Sequence, residues 1–165
     1  MDDMARITDA ADPAALQYVL DRLAIQDLIV RYAFGQDLHE NGDNEVQQQW
    51  DVVFSPDAVL DYRAGGAAAD IDYRTLIATM RGPGGTMSGL ENWQHFQGFA
   101  AVDIDGDTAT ARTQHLHTHS GMTDGAGWNL MQTGFFVDRL ERRPEGWRIV
   151  HRTLEILWMQ TFPAL

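Results

Sequence analysis

The chain contains no cysteine, which removes disulfides, thiolate zinc sites and cysteine nucleophiles from consideration. Basic residues are few: 12 Lys and Arg stand against 24 Asp and Glu, giving a formal net charge of −12. Phosphate backbones are held by clustered cations, so nucleic acid is not expected as a partner. Anionic membranes are repelled and polyanionic substrates disfavoured, whereas a neutral, largely apolar ligand fits. No apolar run approaches the roughly 18 residues that a membrane span needs. The opening "MDDMARITDAADP" is acidic and lacks a basic-then-apolar leader, so the cytoplasm is the expected compartment. Ser55, Ser88 and Ser120 occupy no Gly-x-Ser-x-Gly elbow. No Gly-rich dinucleotide fingerprint or phosphate loop is present, and "RGPGGTMSG" reads as a lid or connection.

What remains is ordinary for a globular chain: 165 residues, of which 44% are hydrophobic and 22% charged. That length is expected to hold one domain over 13–165, preceded by a flexible arm over 1–12. Asp12-Pro13 marks a helix start, with Asp as N-cap and Pro in the first turn. Leu16, Val19, Leu20, Leu23, Leu28, Ile29 and Tyr32 continue at helical spacing. Asp21 is able to cap a second helix, so 13–40 reads as one bent helix or two. "HENGD" closes this region. A shorter helix is expected over 43–54, a strand over 58–64 and a further helix over 71–81. Strands follow over 92–104, 107–121, 127–142 and 146–161, with Asp105-Gly106 as a strong hairpin signal. Helices first and a long antiparallel meander after is an α+β arrangement.

Chemistry-bearing residues collect in a few places. "WQHFQGF" sets His95 among aromatics in a strand, where core packing alone would keep the ring neutral. Asp37 stands near the end of the first helical region, where the helix dipole disfavours a carboxylate. Asp37 either sits at a solvated helix end or accepts from a histidine, fixing its tautomer and raising its pKa for general base work. His95 is the natural partner. His115, His117 and His119 alternate along one strand and share a face. A His-x-His pair also suits zinc or iron, yet no carboxylate lies at a local ligand spacing, so no metal is expected. Tyr62 is placed to donate to a ligand oxygen, or to sit in the core with its hydroxyl outward. Trp50, Phe54, Trp93, Phe96, Trp128, Met131, Phe135 and Trp158 are the aromatic and apolar wall expected for a pocket that takes a flat ligand.

Four stretches in order, "DRLAIQDLIVRYAFGQD", "FSPDAVLDY", "DIDGDTATA" and "GWRIVHRTLEILW", resemble the SnoaL-like branch of the NTF2-like, cystatin-like superfamily over roughly 13–160. The resemblance implies a strongly curved antiparallel sheet wrapped around N-terminal helices as a cone with a deep apolar cavity. The scytalone dehydratase and hexachlorocyclohexane dehydrochlorinase branch is the more similar. It implies a cofactor-independent lyase with Asp37 and His95 as a dyad, Tyr62 as a polarising hydroxyl and His119 as a second histidine. Gln36 stands where the dehydratase has a tyrosine, and Gly134 where it has an asparagine, so the substrate does not carry over. His39, His115, His117 and His151 are read as structural or surface residues.

The expected function is therefore elimination, dehydratase-like, on a small apolar, aromatic or polycyclic substrate without a cofactor. An isomerase or polyketide-cyclase-like enzyme of the same fold is the neighbouring alternative. A non-catalytic ligand-binding or assembly module is the alternative from another class, favoured if Asp37 and His95 do not meet in a cavity. Homo-oligomerisation is expected, with a trimer preferred to a dimer.

Overall fold

A computed structural model describes residues 12–38 and 43–164. The arm expected over 1–12, apart from Asp12, lies outside the described residues, as does His39. Helix α1 (Pro13–Gln36) starts where Asp12 accepts from the Ala14 N–H at 3.1 Å. It runs unbroken through Asp21, which caps nothing. The Asp21 carboxylate is buried and takes both arms of Arg142, at 2.7 and 2.6 Å, and the Trp147 indole at 3.0 Å. Arg142 holds that carboxyl down at about 2. Helix α2 (Asp43–Asp51) follows, then strand β1 (Phe54–Asp61) and helix α3 (Tyr73–Arg81), whose first turn is capped by Asp72. No helix among the described residues is long and apolar enough to cross a membrane.

Strands β2 (Leu90–Gln97), β3 (Ala101–Asp105), β4 (Thr108–Thr123), β5 (Ala126–Arg143) and β6 (Gly146–Pro163) complete a curved, unclosed sheet in the order β1-β6-β5-β4-β2, with β3 also on β4. Two tight hairpins organise it. Gly106 takes φ +57° between β3 and β4, and Asp124-Gly125 takes φ +51° and +79° between β4 and β5. Positive φ at both central positions of the second turn matches the right-handed strand twist. The chain continues into β6 through the two-residue Pro144-Glu145 turn.

The sheet departs from the expected form at two places. It is mixed, because β1 pairs with β6 in parallel. Hairpins dictate direction locally, but β1 reaches the far edge from the helices, and residue periodicity carries no direction for such a pairing. The strand expected over 92–104 is also split. Gln26 of α1 reaches between β2 and β3, donating to the Ala100 carbonyl at 3.0 Å and accepting from its N–H at 3.1 Å. A side-chain amide thus takes the backbone bonds that a continuous ladder would have made, and α1 is pinned across the sheet.

Ile25, Ile29 and Tyr32 of α1 pack into the core with Trp50 and Phe54, all fully buried. Tyr32 stacks on Trp50 with ring centroids 4.8 Å apart. Beneath them Arg152 and Asp138 form a buried bidentate pair, both contacts at 2.7 Å. The guanidinium lies over the faces of Tyr32 and Phe136, at 4.1 and 4.4 Å from their centroids. Trp50 and Phe54 are consumed by this packing and do not reach a ligand wall.

Candidate functional site

Between α1, α3 and the concave face of the sheet lies a cavity of about 370 Å³. Its polar wall includes Gln36, Tyr62, Thr86, His95, His117, His119 and Gln132; Leu76, Met80, Leu130, Leu154, Ile156 and Met159 supply much of the rest. A larger, more open recess of about 730 Å³, with Phe34, Asp37, Trp93 and Met131 in its lining, shares His119 and Leu130 with the cavity.

Asp37 is the C-cap residue of α1, and its neighbours answer the dipole objection. Arg81 donates to the Gln36 carbonyl at 2.7 Å and the Trp93 indole donates to it at 3.0 Å, so donors cover the helix end. Edge strand β2 then brings His95 against the carboxylate. The His95 backbone N–H donates to both Asp37 oxygens, at 2.9 and 3.1 Å, and Nδ1 lies 2.7 Å from Oδ1. Backbone and ring are fixed by one group. With Nδ1 donating to Asp37, Nε2 is the lone-pair nitrogen of a ring that is 3% exposed.

Register decides the other histidines. His95 pairs directly with His117, and Trp93 with His119. The alternation of β4 therefore turns His115, His117 and His119 all to the concave side. His119 Nε2 is 3.4 Å from His95 Nε2. The His117 ring lies 4.3 Å from that of His95 and 4.2 Å from that of His115. Burial, and next the neighbouring His95, pushes His119 down to about 4. Burial likewise holds His115 below and His117 well below the ordinary range. His115 and His117 are thus interior residues, where surface or plain structural roles were expected. His117 lines the cavity; the sign was its shared parity with His119. Among the described residues no three His, Asp or Glu side chains are arranged to hold a metal ion.

Tyr62 follows β1 and lines the cavity, its hydroxyl 2.7 Å from that of Tyr32. Burial pushes Tyr62 well above the usual phenol range and Tyr32 up to about 12, so both remain neutral donors.

The expected apolar wall is placed differently. Trp93 and Met131 border the outer recess. Phe96 and Phe135 lie on the convex face with Leu116 and Leu157, and Trp158, paired with Thr133, shares their parity. Trp128 stands near the end of the β4–β5 hairpin, its indole donating to Thr123 at 3.1 Å. The physical reason is period two: once the histidines face inward, residues 116, 133 and 135 must face outward. The true wall is aliphatic and methionine-rich, from α3 and the inner positions of β5 and β6.

A helix end meeting a strand imidazole over a hollow, inside a cone of curved sheet, defines an NTF2-like α+β protein with the cystatin-like fold. The SnoaL-like domain model matches residues 17–153, and the chain belongs to that family. A protein of Mycobacterium tuberculosis (strain ATCC 25618 / H37Rv), itself uncharacterized, is 31% identical over 135 residues, covering 81% of this chain and 84% of that one. An NTF2-like protein with a cystatin-like fold from Novosphingobium aromaticivorans is 25% identical, covers 95% of this chain and 92% of its own, and superposes with a TM-score of 0.57. The hexachlorocyclohexane dehydrochlorinase LinA-type3 of Novosphingobium barchaimii superposes with a TM-score of 0.67 over 90% of this chain and 94% of its own, at 13% identity. That last likeness is one of fold.

Proposed function

We propose that this protein is a cofactor-independent lyase that eliminates a leaving group from a small, largely apolar cyclic substrate. One observation carries the reading: the Asp37 carboxylate binds both the backbone N–H and Nδ1 of His95, leaving Nε2 toward the cavity. In this reading Nε2 takes a proton from carbon, the electron pair of that C–H bond forms the double bond, and the leaving group departs with its own pair. Asp37 stabilises the imidazolium so formed, a charge-assisted contact worth about 1.5–3 kcal/mol. Where the leaving group is hydroxide, that imidazolium returns the proton and water departs.

The electrostatics are consistent with two supporting roles in this reading. His119, held down at about 4, is neutral near pH 7 and can donate a hydrogen bond but no acidic proton. It polarises a leaving group, as does Tyr62 when Tyr32 donates to the Tyr62 oxygen. An apolar wall that excludes water strengthens each contact. General base catalysis of this kind contributes about 10²–10⁴ in rate.

The test is a panel of hydroxylated and halogenated cyclic compounds, followed by the absorbance of the new double bond with no cofactor added. The wild type should convert at least one member and His95→Ala should not. Conversion undiminished in His95→Ala overturns the reading.

A further inference from the structure

Strand β6 has an open edge. Strand β1 pairs with it only as far as Thr153, so beyond that point β6 has β5 on one side and no strand on the other. Every residue over 157–163 is exposed, Leu157 by 69% and Met159 by 56%. The register fixes which backbone groups are free. Ala164 donates its N–H to the Gly127 carbonyl at 2.9 Å, and Phe162 pairs with Asn129, so Trp158, Gln160 and Phe162 turn their N–H and C=O toward β5. Those of Met159 and Thr161 point the other way, and no backbone group among the described residues bonds to them. Such an edge accepts a further strand, and charged side chains are its usual protection. Here no side chain from Ile156 to Leu165 carries a charge, in a chain with 12 basic and 24 acidic residues. Pro163, which lacks an N–H, ends the free stretch.

We propose that this edge is the dimer interface of the protein: β6 pairs antiparallel with β6 of a second copy about a two-fold axis at Gln160, joining two sheets into one. The occupant is a second copy because the edge is complementary to itself. Centred on Gln160, Met159 of each chain stands opposite the partner subunit's Thr161, and their outward N–H and C=O groups bond in both directions. Trp158 falls opposite the partner subunit's Phe162 in the closer, non-hydrogen-bonded kind of pair. Trp158 and Phe162 of one chain already lie with ring centroids 6.4 Å apart, so the pairing gathers the aromatic rings of both copies into one cluster. Two chains of net charge −12 repel across most surfaces. Along this uncharged edge that repulsion is least. Met159 also lines the cavity, so the pairing sets the partner subunit's Thr161 against the cavity's β6 flank. None of this depends on His95 acting as a base.

Sedimentation velocity over a concentration series, with one cross-linking variant, tests it. The wild type should sediment as a dimer. Thr161→Pro removes an outward N–H and leaves the β5 ladder intact, and it should sediment as a monomer. The chain has no cysteine, so Gln160→Cys adds a single thiol on the two-fold axis. Residues directly opposite in a non-hydrogen-bonded pair have Cα atoms about 4.5 Å apart, within the roughly 4.4–6.8 Å that a disulfide spans. Under mild oxidation Gln160→Cys should become a covalent dimer, whereas Thr110→Cys, exposed on β4, should stay a single chain on a non-reducing gel. A wild type that is monomeric throughout the series, or trimeric, overturns the proposal. A dimer that survives Thr161→Pro does so too, being held by another surface such as the convex face. Should Thr161→Pro not fold, the cross-link decides: Gln160→Cys that oxidises to dimer no faster than Thr110→Cys refutes the pairing.

Discussion

Acidification should destabilise this fold well before its carboxylates are exhausted, because its concave face buries neutral imidazoles. His119 is the ring for which the magnitude can be worked. Its folded value is about 4 against an ordinary 6.5. The unfolded chain therefore binds the proton first as pH falls, so stability is complete above about 6.5 and is lost progressively down to about 4. At about 1.4 kcal/mol for each tenfold change, the limit is about 3 kcal/mol, and partial exposure of the ring brings it to about 2 kcal/mol. His115 and His117 act with the same sign. Asp21, held at about 2 by Arg142, begins to matter only below the ordinary carboxylate range, so it does not obscure this window. The assay is urea unfolding at pH 7.0, 5.5 and 4.5, followed by tryptophan fluorescence. The midpoint should fall steadily, and His119→Gln should recover about 1–2 kcal/mol of the loss. A midpoint that is flat between pH 7.0 and 4.5, or a His119→Gln protein that loses as much as the wild type, refutes the reasoning.

Asp37→Asn keeps the shape of the side chain but presents an amide to Nδ1. The tautomer should invert and turnover fall about 10²-fold or more, with the inversion read by ¹⁵N NMR of His95. Asp138→Asn strands the Arg152 charge in the core, where both side chains are fully buried. It should cost about 3–5 kcal/mol in denaturant unfolding. Gly134→Ala drives a methyl into the Glu155 carbonyl and to 2.8 Å from His115 Nε2. A loss of about 1–3 kcal/mol, measured by thermal melting, is expected, because backbone must yield.

Local signals read well from residues alone, and non-local ones did not. Asp12-Pro13 begins α1, and the Gly106 turn and the strand alternation lay out β3 to β6. The direction of β1 and the break between β2 and β3 depended on contacts made across the chain. Gln26 clamps a backbone position 74 residues away, which no window of sequence displays. The site shows the same division. The side chains of Asp37 and His95 meet as their positions implied, whereas the wall did not follow from residue type. Large aromatics such as Trp50 and Phe54 went to the core, Phe96, Phe135 and Trp158 took the convex parity, and aliphatic residues with three methionines line the hollow. His117 and Gln132 were legible only by extending the parity of His119 along β4 and across to its partner strand. Asp21 looked like a helix cap because its true partners, Arg142 and Trp147, lie more than a hundred residues on.

The central claim, that the imidazole held by Asp37 takes a proton from carbon, is tested most directly by deuterium at the carbon that reacts. With a substrate found from the cyclic panel, single-turnover rates should be several-fold slower for the deuterated compound, and His95→Gln should bind it normally yet turn it over at least about 10²-fold more slowly. Equal rates for the two isotopes together with full turnover by His95→Gln would contradict the account.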